Sequence, residues 1–161
     1  NKYKTIFMAS KKKSWQEKLS DNHNLPKVEV VRPNMAKRWG SGTIVIPAPI
    51  EVDEIMKDVP KGKLTTINRV REKLAHKHKA TICCPITTGI FACISARAAE
   101  EAKAEGKKNI TPYWRTLKSK GELNEKYPGG VNAQKKYLKD EGHRFIHKTK
   151  NIIVNDFEKY F

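Results

Sequence analysis

Three stretches of this chain hold side chains able to do chemistry. The first is NITPYWRTL, Asn109 to Leu117, where Tyr113, Trp114 and Arg115 follow Pro112. A phenol beside an indole offers two aromatic faces and two hydrogen-bond donors, which suits stacking on a base and core packing alike. The second is HKHKATICC, which brings His76, His78, Cys83 and Cys84 close in sequence with zinc-type ligand atoms. Adjacent cysteines seldom both reach one tetrahedral ion, and the spacing matches no standard finger, so no metal is expected. The third is Cys84, directly before Pro85. A helix N-terminus there would lower the thiol pKa and make a nucleophile. Burial as a small apolar residue is the competing reading and the expected one. His143, in EGHR, is expected to face the C-terminal dipole of the helix before it.

The elements that must position these groups follow from pattern. VEVVRP and SGTIVIPAP read as two short strands or extended segments, and IEVDEIMKDVP as a short helix with Ile50, Ile55 and Met56 inward, stopped by Pro60. Thr65 or Thr66 is a natural N-cap for a helix whose apolar stripe is Ile67, Val70 and Leu74. Pro85 opens a longer helix that Gly106 ends. Its apolar stripe, Ile86, Ile90, Ile94 and Ala98 with Phe91 beside it, is expected to face the core. A second stripe, Thr88, Gly89, Ala92, Ser95, Ala96 and Ala99, is all small: either a neighbouring element packs tightly there, or the helix approaches a nucleic-acid groove. RTLKSKGELN reads as a basic hairpin with Lys118–Gly121 at its tip, KYPGG as a turn, and GVNAQKKYLKDEGHRF as a helix with Val131, Ala133, Tyr137 and Leu138 inward. NIIVNDFEKYF reads as a strand or docked tail. Two helices joined by a loop and followed by a wing make a winged helix-turn-helix.

Charge points to the partner. Lys and Arg number 33 against 17 Asp and Glu, a net charge of +16 spread along all 161 residues. That excess favours a polyanion, most simply nucleic acid, held through phosphate contacts and counterion release. No apolar run approaches the roughly 18 residues of a membrane span, and TIFMAS is too short for a signal peptide. Three cysteines cannot all pair internally, which fits a reducing, cytoplasmic setting.

In this order and spacing, VPKGKLTT, the small-faced helix, NITPYWR, the basic wing, YPGG and DEGHR resemble the C-terminal domain of the alkylguanine-DNA alkyltransferase (methylated-DNA–protein-cysteine methyltransferase) family, including its alkyltransferase-like relatives. The match covers roughly residues 50–145, about three-fifths of the chain, and its motifs are specific as a set. The resemblance implies a winged domain that binds the DNA minor groove and flips a damaged base into a pocket, where true members pass the alkyl group to the cysteine of a PCHRV motif. Pro112 and Arg115 stand at that motif's proline and arginine, Tyr113 at the acceptor cysteine and Trp114 at the histidine that helps deprotonate it. Glu141 matches the glutamate that orients the histidine, and Tyr127 the pocket tyrosine before the glycines. Ile67 falls at the tyrosine that helps rotate the base, and Thr87–Thr88 where the arginine that fills the vacated stack should lie.

These replacements decide the chemistry. Alkyl transfer needs a thiolate with a base beside it, whereas a phenol has a reference pKa of about 10 and an indole N–H only donates. The expectation is therefore an α+β, mainly helical, non-enzymatic DNA-binding protein of alkyltransferase-like type, which recognises alkylated guanine for repair and hands it to excision-repair proteins. A basic N-terminal extension over residues 1–49, the winged domain over 50–145 and a tail over 146–161 make up the chain. Thr66, Asn68, Thr87, Thr88, Gly89, Ser95, Arg115, Lys118 and Lys120 are the expected DNA contacts, with Tyr113, Trp114 and Tyr127 lining the pocket, Tyr113 stacking on the flipped base, and no cofactor. The alternatives are a methyltransferase-type enzyme using Cys84 or Cys93, and a protein-interaction module in which Tyr113 and Trp114 are core.

Overall fold

The computed structural model describes residues 12–161; TIFMAS and Lys11 lie outside it. A short helix, α1 (Trp15–Ser20), begins at a capping box in which Ser14 and Glu17 satisfy each other's backbone N–H groups. It is followed by β1 (Lys27–Val30), α2 (Pro33–Trp39), β2 (Thr43–Ile46) and α3 (Pro49–Lys57). Next come β3 (Thr65–Thr66), α4 (Ile67–Lys77), β4 (Ile82–Cys83) and α5 (Pro85–Ala104). The last part holds a 3-10 turn (Tyr113–Arg115), β5 (Thr116–Leu117), α6 (Gly130–Asp140), the hairpin β6 (Phe145–Lys148) and β7 (Asn151–Val154), and a second 3-10 turn (Phe157–Tyr160). Among the described residues no helix is long and apolar enough to cross a membrane.

Local signals set several boundaries. Thr66 caps α4, its hydroxyl accepting from the Arg69 N–H at 3.3 Å. Pro85 opens α5 after Cys84, and Gly106 follows its end with φ +87°. Three small sheets then fix the long-range geometry. β2 runs antiparallel to β1 and parallel to β4, so residues before 50 are built into the fold. Val45 is fully buried in one core with Val52, Met56, Val70, Leu74, Leu117 and Leu138. From Trp15 on, the expected arm is structured as well. Trp15 and Gln16 donate backbone N–H bonds to Glu101 of α5, and Arg97 lies 5.0 Å over the Trp15 ring. The α2 helix was not expected, although Pro33 at its first position marks it.

Two expectations are corrected. The small stripe of α5 faces inward: Thr88, Ala92, Ser95, Ala96 and Ala99 are buried, while Ile86 and Ile90 are 56% and 53% exposed. The cause is α3, which lies close along that face and presents a buried carboxylate. Asp53 accepts hydroxyl bonds from Ser95 at 2.6 Å and from Thr111 at 2.8 Å, and only small side chains leave room for that approach. Nor does the segment around Lys118–Gly121 form a strand-paired hairpin: one bond, from the Lys118 N–H to the Glu122 carbonyl at 2.9 Å, joins its limbs. Its turn exists, closed by the Gly121 N–H on the Lys118 carbonyl at 3.0 Å, but β5 pairs in parallel with β3. The returning limb pairs with β7 instead, Leu123 donating to Ile152 and Val154 to Gly121. The C-terminal stretch thus supplies the molecule's terminal hairpin, with Val154 fully buried.

The two faces of α5 give a direct check. Ala96→Leu, overfilling the contact with α3, is expected to cost about 1–3 kcal/mol in urea unfolding, whereas Ile90→Ala, on the open face, should stay within about 0.5 kcal/mol of wild type.

Candidate functional site

The site assembles around the turn Tyr113–Arg115. The parallel pairing of β3 with β5 clamps this turn beside the start of α4, and the C-terminal end of α6 closes over it. Gln134, fully buried on α6, ties the two together: its amide N–H donates to the Trp114 carbonyl at 3.1 Å and its oxygen accepts the Asn124 N–H at 2.7 Å.

One carboxylate organises the turn. Glu141 accepts from Trp114 Nε1 at 2.9 Å, from Arg115 Nε at 2.8 Å and Nη2 at 2.9 Å, and from the Gly62 N–H at 3.3 Å. Arg115 also donates to the Val59 carbonyl at 2.7 Å. The side chains of Arg115 and Glu141 are only 13% and 7% exposed. Burial pushes the Glu141 carboxyl up, but the bonds from Arg115, Trp114 and Gly62 together outweigh it and hold the group below the usual carboxylate range.

A second carboxylate gathers the phenols. Tyr113 and Tyr137 both donate to Glu100 Oε1, each at 2.7 Å, and Lys103 donates to the Tyr137 oxygen at 2.7 Å. Tyr113 meets Trp114, Tyr127 and Tyr137 edge-on at 5.4, 5.2 and 6.1 Å, while Tyr137 stacks flat on Trp114 at 4.0 Å. Tyr127 donates to the Thr116 carbonyl at 3.1 Å. Burial first, and the hydrogen bond to Glu100 second, push the Tyr113 phenol far above its ordinary value.

The structure therefore brings together Tyr113, Trp114, Tyr127 and Glu141 as expected from the sequence, but as a closed cluster. Tyr113 is fully buried and Trp114 is 8% exposed, so neither can stack on a base. The open space lies next door, a cleft of about 540 Å³ between α5 and α6. Glu100, Lys103, Pro128, Gly129, Tyr137 and Asp140 line it. Glu100, Lys103, Gln134 and Tyr137 were missed as site residues. The small-faced pattern of α5 drew attention to the wrong side of that helix, and nothing local marks Glu100 as the acceptor for two phenols.

Several expected contacts are withdrawn. Thr66 is buried as a cap, Thr88 donates to the Cys84 carbonyl at 2.6 Å, Ser95 is committed to Asp53, and Arg115 to Glu141. Thr87 is half-buried, its hydroxyl unpartnered among the described residues. Asn68 and Lys120 are exposed, although Asn68 accepts from Arg71 at 3.2 Å; Lys118 lies 3.2 Å from Glu125. Gly89 is open, a Cβ there meeting nothing within 4 Å.

Cys83 and Cys84 are buried, and burial pushes the Cys83 and Cys93 thiols up. His78 contacts Glu51 at 2.6 Å while His76 points to solvent, which splits the histidines of HKHKATICC. His143 is not at the surface by a helix end: it is buried edge-on against Tyr160, at 4.6 Å, and burial pushes its pKa down.

No family model and no curated protein matches the chain. Two solved structures are similar in fold, each at 17% identity over 70% of this chain and 92% of the other. One is S. pombe ATL in complex with DNA, with a TM-score of 0.50. The other is S. pombe Atl1 in complex with damaged DNA containing O6-carboxymethylguanine, with a TM-score of 0.48. The chain carries an alkyltransferase-like fold.

The buried ion pair has a pH signature. Because the native Glu141 pKa is depressed, its contribution is complete above the ordinary carboxyl value of 4.5 and is lost as pH falls through the lower native value. Glu141→Gln should cost about 3–5 kcal/mol at neutral pH by leaving Arg115 unpaired, and should flatten the acid limb of a plot of melting midpoint against pH.

Proposed function

We propose that this protein is a non-enzymatic, alkyltransferase-like DNA-binding protein that recognises alkylated guanine and marks it for excision repair, in a reducing compartment such as the cytoplasm. The observation that carries this reading is the state of the former reaction centre. Where the resembling family has cysteine and histidine, this chain has Tyr113 and Trp114, each held by a carboxylate, on a fold shared with a DNA-bound protein.

The chemistry is consistent throughout. A fully buried phenol bonded to Glu100 is no nucleophile, and Glu141 is already spent on Arg115 and the indole. Without a thiolate, no alkyl group is transferred. What remains is binding. The outward face of α5 presents Ile86, Gly89 and Ile90, with Arg97 two turns further on. Small and apolar groups of that kind suit a minor groove, where wedges part base steps. A base flipped from the stack would enter the cleft beside Tyr137, whose volume is ample for a purine.

Titration of fluorescent duplexes, plain and carrying O6-alkylguanine, at several salt concentrations tests this reading. The expected result is binding that weakens steeply with salt, favours the alkylated duplex, and leaves the intact protein mass unchanged after incubation. Ile90→Asp should weaken binding without lowering the melting midpoint. A mass increase localised to Cys84 or Cys93, or failure to bind either duplex at low salt, overturns it.

A further inference from the structure

The C-terminal ribbon carries a charge that nothing else in the fold uses. Between residues 135 and 151 stand six Lys and Arg against Asp140 and Glu141, and Glu141 is consumed by Arg115. Among the described residues, Arg144, Lys148 and Lys150 are exposed and none has a carboxylate within salt-bridge distance. The fold adds to the crowding. Lys135, on α6, lies over the Phe145 ring at 5.5 Å and donates to His147 Nε2 at 3.3 Å, which brings one more ammonium beside the ribbon. Gathering cations in this way is unfavourable unless an anion comes between them. The acids flanking the ribbon do little to offset this: Glu125 faces Lys118, Asp156 faces Lys159, and Glu122, bridged to Ile153, is a single carboxylate.

The geometry is that of a rail. The limb at Gly121–Leu123 pairs with β7, and β7 with β6, a ribbon that Val154 anchors in the core. Arg144 stands at one end of β6, where its carbonyl accepts the Asn155 N–H; at the other, Lys148 ends the strand and Lys150 sits in the turn. Four residues of extended chain separate these ends, about 13 Å. Measured along the duplex axis, that length matches about four steps of one strand at about 3.4 Å each.

We infer that the β6–β7 ribbon is a second nucleic-acid contact, a phosphate-backbone rail that holds duplex DNA independently of any base read by α5. This rests on the DNA-binding reading above and adds a contact that the sequence did not suggest. Backbone contacts position a protein without reading sequence or damage, so the ribbon contributes affinity and salt dependence and leaves discrimination to the α5 cleft.

The test uses the full chain with K148E/K150E, K148R/K150R and wild type against plain duplex, alkylated duplex and phosphatidylserine vesicles. Charge reversal should weaken binding to both duplexes by at least about tenfold at 0.1 M salt and make the log–log salt slope shallower by about 2, near 0.9 per lost phosphate contact. The ratio between the duplexes should stay unchanged. Both lysines are exposed, so the melting midpoint should hold, and the arginine pair should bind as wild type does. Unchanged affinity and slope in K148E/K150E, with wild type still binding, overturn the rail alone. A loss seen with vesicles but not with duplex overturns it in favour of a membrane surface. If wild type binds no duplex, the rail falls together with the reading it rests on.

Discussion

A buried carboxylate, Glu141, is the interaction on which the rest of this structure depends. It gathers the fork of Arg115, the indole of Trp114 and the backbone N–H of Gly62, and so fastens the Tyr113–Arg115 turn to the end of α6 and to the loop after α3. Charge-assisted bonds of this kind are the strong ones, because a bidentate guanidinium supplies geometry as well as attraction. In the family that the sequence resembles, the matching glutamate serves a proton relay. Here all of its acceptor capacity goes into holding the turn still.

The aromatic cluster follows from that fixation. With Trp114 pinned, Tyr137 stacks on it, Tyr113 packs edge-on to both, and Glu100 collects the two phenolic protons. Tyr113 is thereby placed out of solvent and its phenol kept protonated. The same arrangement that removes nucleophilic chemistry also stiffens the wall of the neighbouring cleft. A rigid wall lowers the entropic cost of binding a ligand, and Tyr137 belongs both to the packed cluster and to the cleft.

Sequence carried the local part of this account and missed the relational part. Pro85, Thr66 and Gly106 announced helix ends because caps and stops act within one turn. Tyr113, Trp114, Tyr127 and Glu141 came together as the resemblance implied, since the segments between them keep the resembling spacing. The inward face of α5 was misread. Ile86 and Ile90 look like core by hydropathy, yet α3 arrives on the opposite side with Asp53, and no periodicity records which neighbour comes closer. The pairing of β5 was equally hidden: two-residue strands leave no alternation to read.

The proposed grip on duplex DNA leaves the Tyr113–Trp114 cluster closed. Nitrogen–proton correlation spectra of the labelled protein, recorded with and without duplex, test it most directly. The account predicts that amides of Gly89 and Ile90 shift on binding while the Trp114 indole N–H, bonded to Glu141, keeps its position and its slow exchange with water. An indole signal that moves or exchanges away on binding, with the α5 amides unchanged, would contradict it.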